Sequence, residues 1–455
     1  MEVIILAEIC LKGWLLVKIT IGDILDATDG KLLGSFLDNT VTITSLVIDS
    51  RRSCSHALFI PFKGDKNNGY DFIDDAFDRG CAGCIIDHEL PSYAEGKCYI
   101  LVDNNLEAIW KIARLWLSRL NGTKIICVTG SAGKTTTTRM LASVLCQRFS
   151  VFETMENWND EYLAPLMITL IEPDCEYAVL ELGMGLWSSV SKMAIAICPD
   201  VLVLTNIGYA HIQRTGSLEG TRNEKCGAER GLVDTGHVFI NGDDHLLREY
   251  SYLHSVTTYG TGLHNDVHPH EYLTFLPKHL MYAAIAAFAV GSYVGLSKDE
   301  IIEGIKAFSP AAGRMDFIQC DRFLLIDSSF NANPASMKMA IDTLSGCGGK
   351  RIAVLGDMLE LGSYSKQLHH ELGAYLATSN VDTLIAVGKY AEDIKAGIDN
   401  KAISVTVCQN IEDGLNRALA EIQVCRECTV LCKGSHGSEV YKIADGLKKL
   451  GGLCG

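Results

Sequence analysis

Continuous apolar runs of strand length alternate with amphipathic stretches along most of the chain. SLVID (45–49), KIICV (124–128) and RIAVLGD (351–357) are typical of buried strands. Within 105–120 the apolar residues recur at steps of three and four, which predicts a helix with one buried face. Because strands that alternate with helices build parallel sheets, the chain is predicted to be an α/β protein.

The chain is predicted to contain several domains, because its 455 residues exceed the roughly 250 to 300 residues that one hydrophobic core supports. The alternation of strands and helices likewise falls into separate segments. No strand of the last segment is followed by a G-x-G-x-x-G turn, so a nicotinamide cofactor is not predicted. We predict an N-terminal extension and three domains, namely a small α/β domain, a central parallel sheet of the phosphate-loop type and a C-terminal Rossmann-like fold. Their bounds are 1–16, 17–102, 103–314 and 315–455.

The composition narrows the possible partners. A chain with 48% apolar and 21% charged residues is typical of a packed globular protein. A net charge of -15 disfavours nucleic acid and anionic membrane surfaces, so nucleotide binding has to be local. No apolar run reaches the roughly 18 residues of a membrane span, and the first sixteen residues lack the basic start of a signal peptide.

Cysteine usage indicates a reducing compartment. The 17 cysteines are scattered without a dense spacing pattern, so we expect free thiols in a cytoplasmic protein. Cys81-x-x-Cys84, and Cys425-x-x-Cys428 with Cys432 and His436, are compatible with zinc. Because both groups lie at or beside predicted strands, packing of small buried side chains is the favoured interpretation.

The strongest local motif is a glycine loop between a strand and a helix, KIICVTGSAGKTTTT (124–138). Glycines let backbone N–H groups approach phosphate oxygens at a helix N-terminus, a lysine reaches the terminal phosphates, and a threonine hydroxyl ligates magnesium. The loop departs from the general phosphate-loop pattern at Val128, and a simple glycine turn is the less favoured alternative. The predicted ATP-binding residues here are Gly130, Ser131, Ala132, Gly133, Lys134, Thr135 and Thr136.

Two further polar residues follow apolar strands. Glu181 ends YAVLE (177–181), and His211 comes shortly after DVLVLTNI (200–207). Carboxyl ends of parallel strands meet at the edge of a sheet where ligands bind, so both are predicted to join Thr135 as magnesium ligands. Taken alone, each residue is better explained as a strand-end carboxylate or a hydrogen-bonded loop histidine, and it is the motif context that reverses this preference.

The TGSAGKTTT loop resembles the phosphate loop of the Mur ligase family. Other segments resemble that family in the same order and extend the resemblance over about residues 17 to 440. Among Mur ligases, SFNANPASM and VLGDMLELG resemble the branch that adds D-alanyl-D-alanine. The matching segments are VIDSRR (47–52), LFIPFKGDKNNGYDFIDDA (58–76), ELGMG (181–185), TNIGYAHI (205–212), DSSFNANPASM (327–337), VLGDMLELG (354–362) and KGS (433–435).

The resemblance implies an ATP-dependent amide-bond ligase of peptidoglycan precursor synthesis. Such an enzyme phosphorylates the terminal carboxylate of a UDP-N-acetylmuramoyl tripeptide, and the amine of D-alanyl-D-alanine then attacks the acyl phosphate. The implied cofactors are ATP and two magnesium ions, and the implied protein is a monomer without stable membrane insertion. Binding of three components would explain three domains that close on substrate.

The resemblance also assigns a modification. Lys225 lies fourteen residues after His211, the spacing at which Mur ligases carry a lysine that reacts with carbon dioxide. A carbamate would give the magnesium ions an anionic oxygen ligand, whereas an ammonium would be repelled. A solvated lysine on the charged helical run 218–230 is the alternative.

Further roles follow from the resemblance. Lys134, His211, Lys225 and Arg314 form the implied catalytic set, with Glu181 as a metal ligand. Arg314, Asp327 and Asn241 would also contact ATP, with Arg314 clamping the γ-phosphate.

Substrate contacts are implied in all three segments. Turn chemistry before Pro334 is an alternative role for the asparagines of FNANP, and a strand-end salt bridge is an alternative for 49–51. The implied substrate-binding residues are Ser50, Arg51, Lys63 and Gly64 for the uridine diphosphate, Asn157 and Asn159 near the acceptor, and Asn331 and Asn333 facing the cleft.

Several positions depart from the family pattern. Leu163 and Ala283 replace a glycine and an asparagine, and His436 stands where an arginine is usual. About twenty residues separate Tyr259 from His279, so a shortened sheet edge must be covered or left exposed. Leu163, Ala283 and His436 favour, as an alternative, a divergent Mur-like ligase for another amine or dipeptide. An inactive Mur-like binding protein is a further alternative. The complete phosphate and metal set disfavours the inactive protein.

Overall fold

The computed structural model describes residues 19–35, 38–64, 67–155, 157–185, 189–268, 270–399 and 402–450. The N-terminal extension 1–16 lies outside these residues. Two compact units are present. The first comprises Met1–Ile125, Phe149–Ala178 and Ile195–Cys198, and the second comprises Ile126–Arg148, Val179–Ala194 and Pro199–Gly455. Helices and parallel sheets occur in the chain, and the predicted α/β class is confirmed.

The strands are β1 (Ile19–Thr20), β2 (Lys31–Leu33), β3 (Thr42–Ile43), β4 (Ser45–Val47), β5 (Ala57–Phe59), β6 (Gly83–Ile86), β7 (Cys98–Leu101), β8 (Lys124–Thr129), β9 (Val151–Glu153), β10 (Tyr177–Glu181), β11 (Val201–Leu204), β12 (His237–Asn241), β13 (Ser255–Tyr259), β14 (Asp316–Gln319), β15 (Phe323–Asp327), β16 (Lys350–Leu355), β17 (Thr383–Val387), β18 (Ser404–Cys408) and β19 (Cys428–Lys433).

The α-helices are α1 (Ile21–Thr28), α2 (Ile73–Asp78), α3 (Asn105–Arg119), α4 (Lys134–Leu145), α5 (Leu163–Ile168), α6 (Val190–Ile197), α7 (Ile212–Thr215), α8 (Leu218–Cys226), α9 (His245–Arg248), α10 (Met281–Tyr293), α11 (Lys298–Lys306), α12 (Pro334–Ser345), α13 (Ser365–Ala377), α14 (Ala391–Ala396), α15 (Ile411–Gln423) and α16 (Val440–Leu450).

The first unit contains a five-stranded sheet in the order β2-β7-β6-β5-β4. β2 pairs antiparallel with β7, whereas the remaining neighbours are parallel. The amphipathic helix predicted over 105–120 is α3, which buries Ile109, Ile112 and Trp116. The indole N–H of Trp116 donates to the carbonyl of Ile171 at 2.9 Å, so the one polar group of this large buried side chain has a hydrogen-bond partner.

The second unit contains two sheets whose strands are mostly parallel. One runs in the order β13-β12-β11-β8-β10, and the other in the order β14-β15-β19-β16-β17-β18, with only β14 antiparallel among the pairs of that second sheet. Buried aliphatic residues cover both faces of the second sheet, as at Leu355 on one face and Val354 on the other. Continuous apolar runs such as RIAVL are needed because both faces of each strand are buried.

Two sequence predictions concern membranes and cysteines. Among the described residues, no helix has the length and hydropathy that a bilayer span requires. The cysteines in the described part of the chain are free thiols. Cys84 lies in β6, and Cys428 and Cys432 lie in β19, all buried in the packed interior.

A short loop covers the end of the shortened sheet edge, at residues 258–260. Residues 260–268 turn back along β13, where the Val267 N–H donates to the Thr258 carbonyl at 3.0 Å. The Thr258 N–H donates in turn to the Asp266 carboxylate at 2.8 Å. The Asp243 carboxylate holds the start of the loop by accepting from the Thr261 N–H at 2.7 Å and from the Asn265 amide at 2.8 Å.

We predict that Asp243→Ala lowers the free energy of unfolding by about 2 kcal/mol at pH 7, because several donors lose a shared acceptor. Burial raises the pKa of Asp243, but hydrogen bonds from Asn265, Thr261 and Tyr282 outweigh burial and lower it to about 2. The folded pKa lies below the unfolded value of 3.8, so this stabilisation is present above pH 4 and is lost as the pH falls through about 2.

Urea unfolding of wild type and Asp243→Ala between pH 7 and pH 2 measures this difference. The exposed Asp234→Ala variant is the matched control, for which we expect little change. Equal stabilities of wild type and Asp243→Ala at pH 7 would contradict the role of Asp243 in holding the loop.

Candidate nucleotide and metal site

The phosphate loop connects β8 to α4 in the second unit. Gly130 has a φ of +154°, and a Cβ at this position would lie 1.8 Å from the Thr205 hydroxyl oxygen. The backbone at Gly130 therefore approaches the end of β11 more closely than any side chain permits. Gly133, with a left-handed backbone, starts α4 without a side-chain cap, so the first amide groups of α4 are suited to an anion.

Asn206 fixes the shape of this loop. Its side-chain oxygen accepts from the Ala132 N–H at 2.9 Å, and its side-chain nitrogen donates to the Ala132 carbonyl at 3.0 Å. Its carbonyl accepts from the Ser131 N–H at 2.9 Å. Asn206 thus accepts from the amides of Ser131 and Ala132, two residues predicted to bind ATP. The other predicted residues, Lys134, Thr135 and Thr136, form the start of α4, which has no side-chain cap.

Two lysines meet at the carbonyl oxygen of Gly130. The Nζ of Lys134 donates to it at 3.2 Å, and the Nζ of Lys225 donates to it at 2.9 Å. Lys225 lies in the last turn of α8 and is 0% exposed, which rejects the alternative of a solvated lysine. Burial lowers the pKa of Lys225 strongly, and the neighbouring Lys134 lowers it further. Burial also lowers the pKa of Lys134.

Glu181 lies at the end of β10 beside the loop. Its carboxylate accepts from the Thr135 hydroxyl at 2.5 Å, and both residues are buried. Burial lowers the pKa of Lys134, Lys225 and Arg314, and the negative charge of Glu181 opposes this shift in all three. The structure thus brings together two of the three predicted metal ligands, Thr135 and Glu181.

His211 has a left-handed backbone with a φ of +59° and precedes α7. Its Nδ1 is hydrogen-bonded to the carboxylate of Glu360. Burial lowers the pKa of His211, the Glu360 hydrogen bond raises it, and the charges of Lys134 and Lys225 lower it. The neutral form of an imidazole is the one that binds metal ions.

Arg314, Asp327 and Asn241 occupy different surroundings. The Arg314 guanidinium stacks over the Phe330 ring at 4.1 Å. Asp327 is buried, with one oxygen accepting from Ser329 and the other from Lys448 at 2.7 Å. The Asn241 amide donates to the Thr205 carbonyl at 3.0 Å, next to the phosphate loop. Their proposed ATP contacts remain predictions.

The FNANP segment contacts the loop directly. Asn333 is the N-cap of α12 and accepts from the Ser336 N–H, so the expected turn chemistry is present. Its amide also donates to the Ser131 carbonyl at 2.9 Å. The Asn331 carbonyl accepts from the buried Lys433 at 2.8 Å. His436, which replaces an arginine, is exposed and stacks on Tyr441 with ring centroids 4.9 Å apart.

The predicted uridine diphosphate residues lie in the first unit. Ser50 starts a short 3₁₀ helix and is buried, whereas Arg51 is exposed and paired with Asp49 at 2.7 Å. This salt bridge is the alternative that the sequence left open, and it does not exclude substrate binding. The backbone of Lys63 forms an antiparallel β-bridge with Asn68, and the Gly64 N–H donates to the Asn67 carbonyl at 2.9 Å.

The segment 157–163 also belongs to the first unit. The Asn159 N–H donates to the Asn157 carbonyl at 2.8 Å, and Trp158 between them lies under the guanidinium of Arg52 at 5.5 Å. Leu163, which stands where the family has a glycine, is the first residue of α5, and its N–H donates to the Asp160 carboxylate. The turn there is closed by Asp160.

The sequence prediction omitted Asn206 and Glu360. Both lie in segments that carry the family resemblance, TNIGYAHI and VLGDMLELG, so a polar residue within each was the available signal. Their partners come from other loops, which periodicity does not reveal. Among the described residues, no group of three or more His, Cys, Asp and Glu side chains is arranged to hold a metal ion.

The fold and the loop define the class: an α/β protein with a nucleotide phosphate site at the carboxyl ends of parallel strands. Two family descriptions match, the Mur ligase middle domain over residues 128–291 and the Mur ligase glutamate ligase domain over residues 313–436. The chain belongs to the Mur ligase family, whose members are ATP-dependent, ADP-forming ligases that make C–N bonds. The resemblance found in the sequence is therefore confirmed.

Individual relatives support the same family. A UDP-N-acetylmuramoyl-tripeptide--D-alanyl-D-alanine ligase of Bacillus subtilis (strain 168) is 34% identical over 84% of this chain and 88% of its own length. A crystal structure of MurF from Acinetobacter baumannii is 26% identical, with a TM-score of 0.86 over 96% of this chain and 100% of its own. MurF from Thermotoga maritima in complex with ADP is 25% identical, with a TM-score of 0.77 over 89% and 97%.

We predict that Asn206→Ala weakens ATP binding roughly tenfold and lowers the free energy of unfolding by about 1 to 3 kcal/mol, because the amide of Ala132 loses its acceptor. Isothermal titration calorimetry and urea unfolding measure the two effects. Asn121→Ala, at an exposed position, is the control. ATP affinity equal to that of wild type would show that the loop keeps its shape without Asn206.

Proposed function

We propose that the chain is the ATP-dependent ligase that joins D-alanyl-D-alanine to the terminal carboxylate of a UDP-N-acetylmuramoyl tripeptide in peptidoglycan precursor synthesis. The observation that carries the chemistry is the convergence of Lys134 and Lys225 on Gly130 beside Glu181. The substrates are indicated by the relatives that are named for this reaction, since these relatives match over most of their length.

The residues present fit ATP and magnesium. The uncapped start of α4 provides amide donors, and Lys134 provides a cation for phosphate oxygens. Thr135, Glu181 and His211 offer oxygen and nitrogen ligands, with the Thr135 hydroxyl already in contact with the Glu181 carboxylate. When bound, magnesium neutralises the phosphate oxygens during phosphoryl transfer.

Two cationic side chains of the chain position the terminal phosphate of ATP and balance its charge. We infer that Lys134 and Arg314 hold the terminal phosphate next to the substrate carboxylate, because both are cations near Glu181 at the loop. Transfer of the γ-phosphoryl group gives an acyl phosphate and ADP. Attack by the amine of the dipeptide forms the C–N bond and releases phosphate, and the amine loses a proton.

The remaining assignments extend this proposal. Ser50, Arg51, Lys63 and Gly64 would bind the uridine diphosphate, Asn157 and Asn159 the acceptor region, and Asn331 and Asn333 the cleft near the loop. Asp327 and Asn241 would contribute to the ATP site. We retain the three predicted domains, 17–102, 103–314 and 315–455, a monomeric state and a cytoplasmic location as parts of the proposal.

We also propose that Lys225 becomes a carbamate. Its neutral amine would attack carbon dioxide, form a C–N bond and release one proton. Burial and Lys134 favour the neutral, nucleophilic form of Lys225, and the product would place a negative charge beside Lys134. The negative carbamate on Lys225 and the ammonium of Lys134 would then form a charge pair in place of two neighbouring amines. The carbamate oxygens are ligands of the kind that magnesium prefers.

Phosphate release tests the ligase function. We expect wild type with ATP and magnesium to release phosphate only when a UDP-muramoyl tripeptide and D-alanyl-D-alanine are both present. Lys134→Ala should reduce kcat by about 100-fold or more, because a charge that stabilises the transferring phosphoryl group is lost. The exposed Lys192→Ala variant is the control. Release with another amine instead would favour a divergent ligase, and ATP binding without turnover would favour an inactive homologue.

Carbon-13 NMR with labelled bicarbonate tests the carbamate. We expect a carbamate signal in wild type that is absent from Lys225→Ala, and a reversible loss of activity when wild type is depleted of carbon dioxide. Lys192→Ala should keep the signal. Full activity in carbon dioxide-free buffer, together with no labelled signal, would refute the modification, and thermal unfolding establishes that Lys225→Ala is folded.

A further inference from the structure

Glu360 belongs to VLGDMLELG, a segment that indicated the family but received no role in the reaction. It lies in the loop 356–364 that follows β16, and its φ of +60° is left-handed. His211, in the loop 208–211 after β11, has a φ of +59°. A non-glycine residue is strained in this conformation, so the surrounding contacts must hold both backbones in place.

Several independent contacts join these two loops. The Gln213 N–H donates to the Glu360 carbonyl at 3.2 Å. The Tyr209 and Tyr364 rings pack with centroids 5.8 Å apart. Ile212 is buried in the same apolar cluster as Leu361. Both the backbone and the side chains therefore fix where the Glu360 carboxylate lies relative to the imidazole of His211.

The carboxylate meets only one nitrogen of the ring. Glu360 accepts from Nδ1 of His211, since an ionised carboxylate cannot donate. The proton is then on Nδ1, and the lone pair is on Nε2. No hydrogen bond of Nε2 is found among the described residues.

A carboxylate bound to one imidazole nitrogen is the usual support of a metal-ligating histidine, because it fixes the tautomer and the ring orientation. We propose that Glu360 is the positioning residue that aims Nε2 of His211 at the magnesium beside Glu181 and Thr135. This inference rests on the proposed function, since it concerns the same metal site.

The proposal links the metal site to two parts of the chain. His211 lies within the segment that matches the Mur ligase middle domain, and Glu360 lies within the segment that matches the glutamate ligase domain. A ligand of the metal is therefore oriented by a residue of the following domain. Metal affinity should depend on contact of the loop 356–364 with the loop 208–211 and the helix α7 that follows it.

Manganese binding in the presence of a non-hydrolysable ATP analogue tests the proposal without turnover. Electron paramagnetic resonance of free Mn²⁺ gives its affinity. We expect Glu360→Ala to bind Mn²⁺ 10- to 100-fold more weakly than wild type. Glu360→Gln retains an oxygen acceptor for Nδ1 and should lie within about threefold of wild type. In a His211→Ala background, Glu360→Ala should cause no further loss.

Controls separate positioning from folding. Glu392→Ala, an exposed change in the same part of the chain, should leave Mn²⁺ affinity unchanged. Thermal unfolding of each variant identifies a loss of structure. If Glu360→Ala has lost its structure, the comparison of Glu360→Gln with wild type and the His211→Ala background test the positioning role instead. An equal loss in Glu360→Gln and Glu360→Ala would overturn the positioning role and indicate direct ligation. Unchanged affinity in Glu360→Ala, or no Mn²⁺ binding by wild type, would also overturn it.

The outcome is distinguishable from that of the proposed function. Mn²⁺ binding that depends on Glu360, in a protein that releases no phosphate with the tripeptide and D-alanyl-D-alanine, supports the positioning role and refutes the ligase assignment. Normal phosphate release with Mn²⁺ affinity independent of Glu360 supports the ligase assignment and refutes the positioning role.

Discussion

The site depends on one backbone carbonyl, that of Gly130, on which two lysine amines converge. Lys225 is buried whereas Lys134 is partly exposed, and the charge of one lysine disfavours the charge of the other. Such an arrangement is costly unless negative charge is close, and Glu181 supplies part of it. The convergence therefore creates a strong local preference for anions in a protein whose net charge is -15.

The fold makes this convergence possible through close backbone packing. Gly130 sits against Thr205 at a separation that no Cβ allows, which places the loop at the carboxyl end of β11. α8 then delivers Lys225 from the last of its turns, and α4 delivers Lys134 from the first. Each element alone is ordinary. Their placement at one edge of a parallel sheet turns separate polar residues into one charged site.

Much of this could be predicted from the sequence because it follows local rules. The α/β class follows from the alternation of apolar runs, and the placement of Thr135 beside Glu181 follows from strand ends that meet at one edge. Asn206 and Glu360 could not be predicted in this way. Their contacts depend on loop conformations, including the left-handed backbones of His211 and Glu360, that tertiary packing imposes. The burial of Lys225 likewise depends on packing around a helix whose sequence is highly charged.

The loop at 260–268 has a consequence beyond the site. An unpaired outer strand offers a row of N–H and C=O groups on which another protein chain can add a strand. In β13 the N–H and the carbonyl of Thr258 meet Asp266 and Val267 of the same chain instead. A turn of the same chain thus occupies, at Thr258, the position that an added strand would use, which disfavours edge-to-edge pairing at this end of β13.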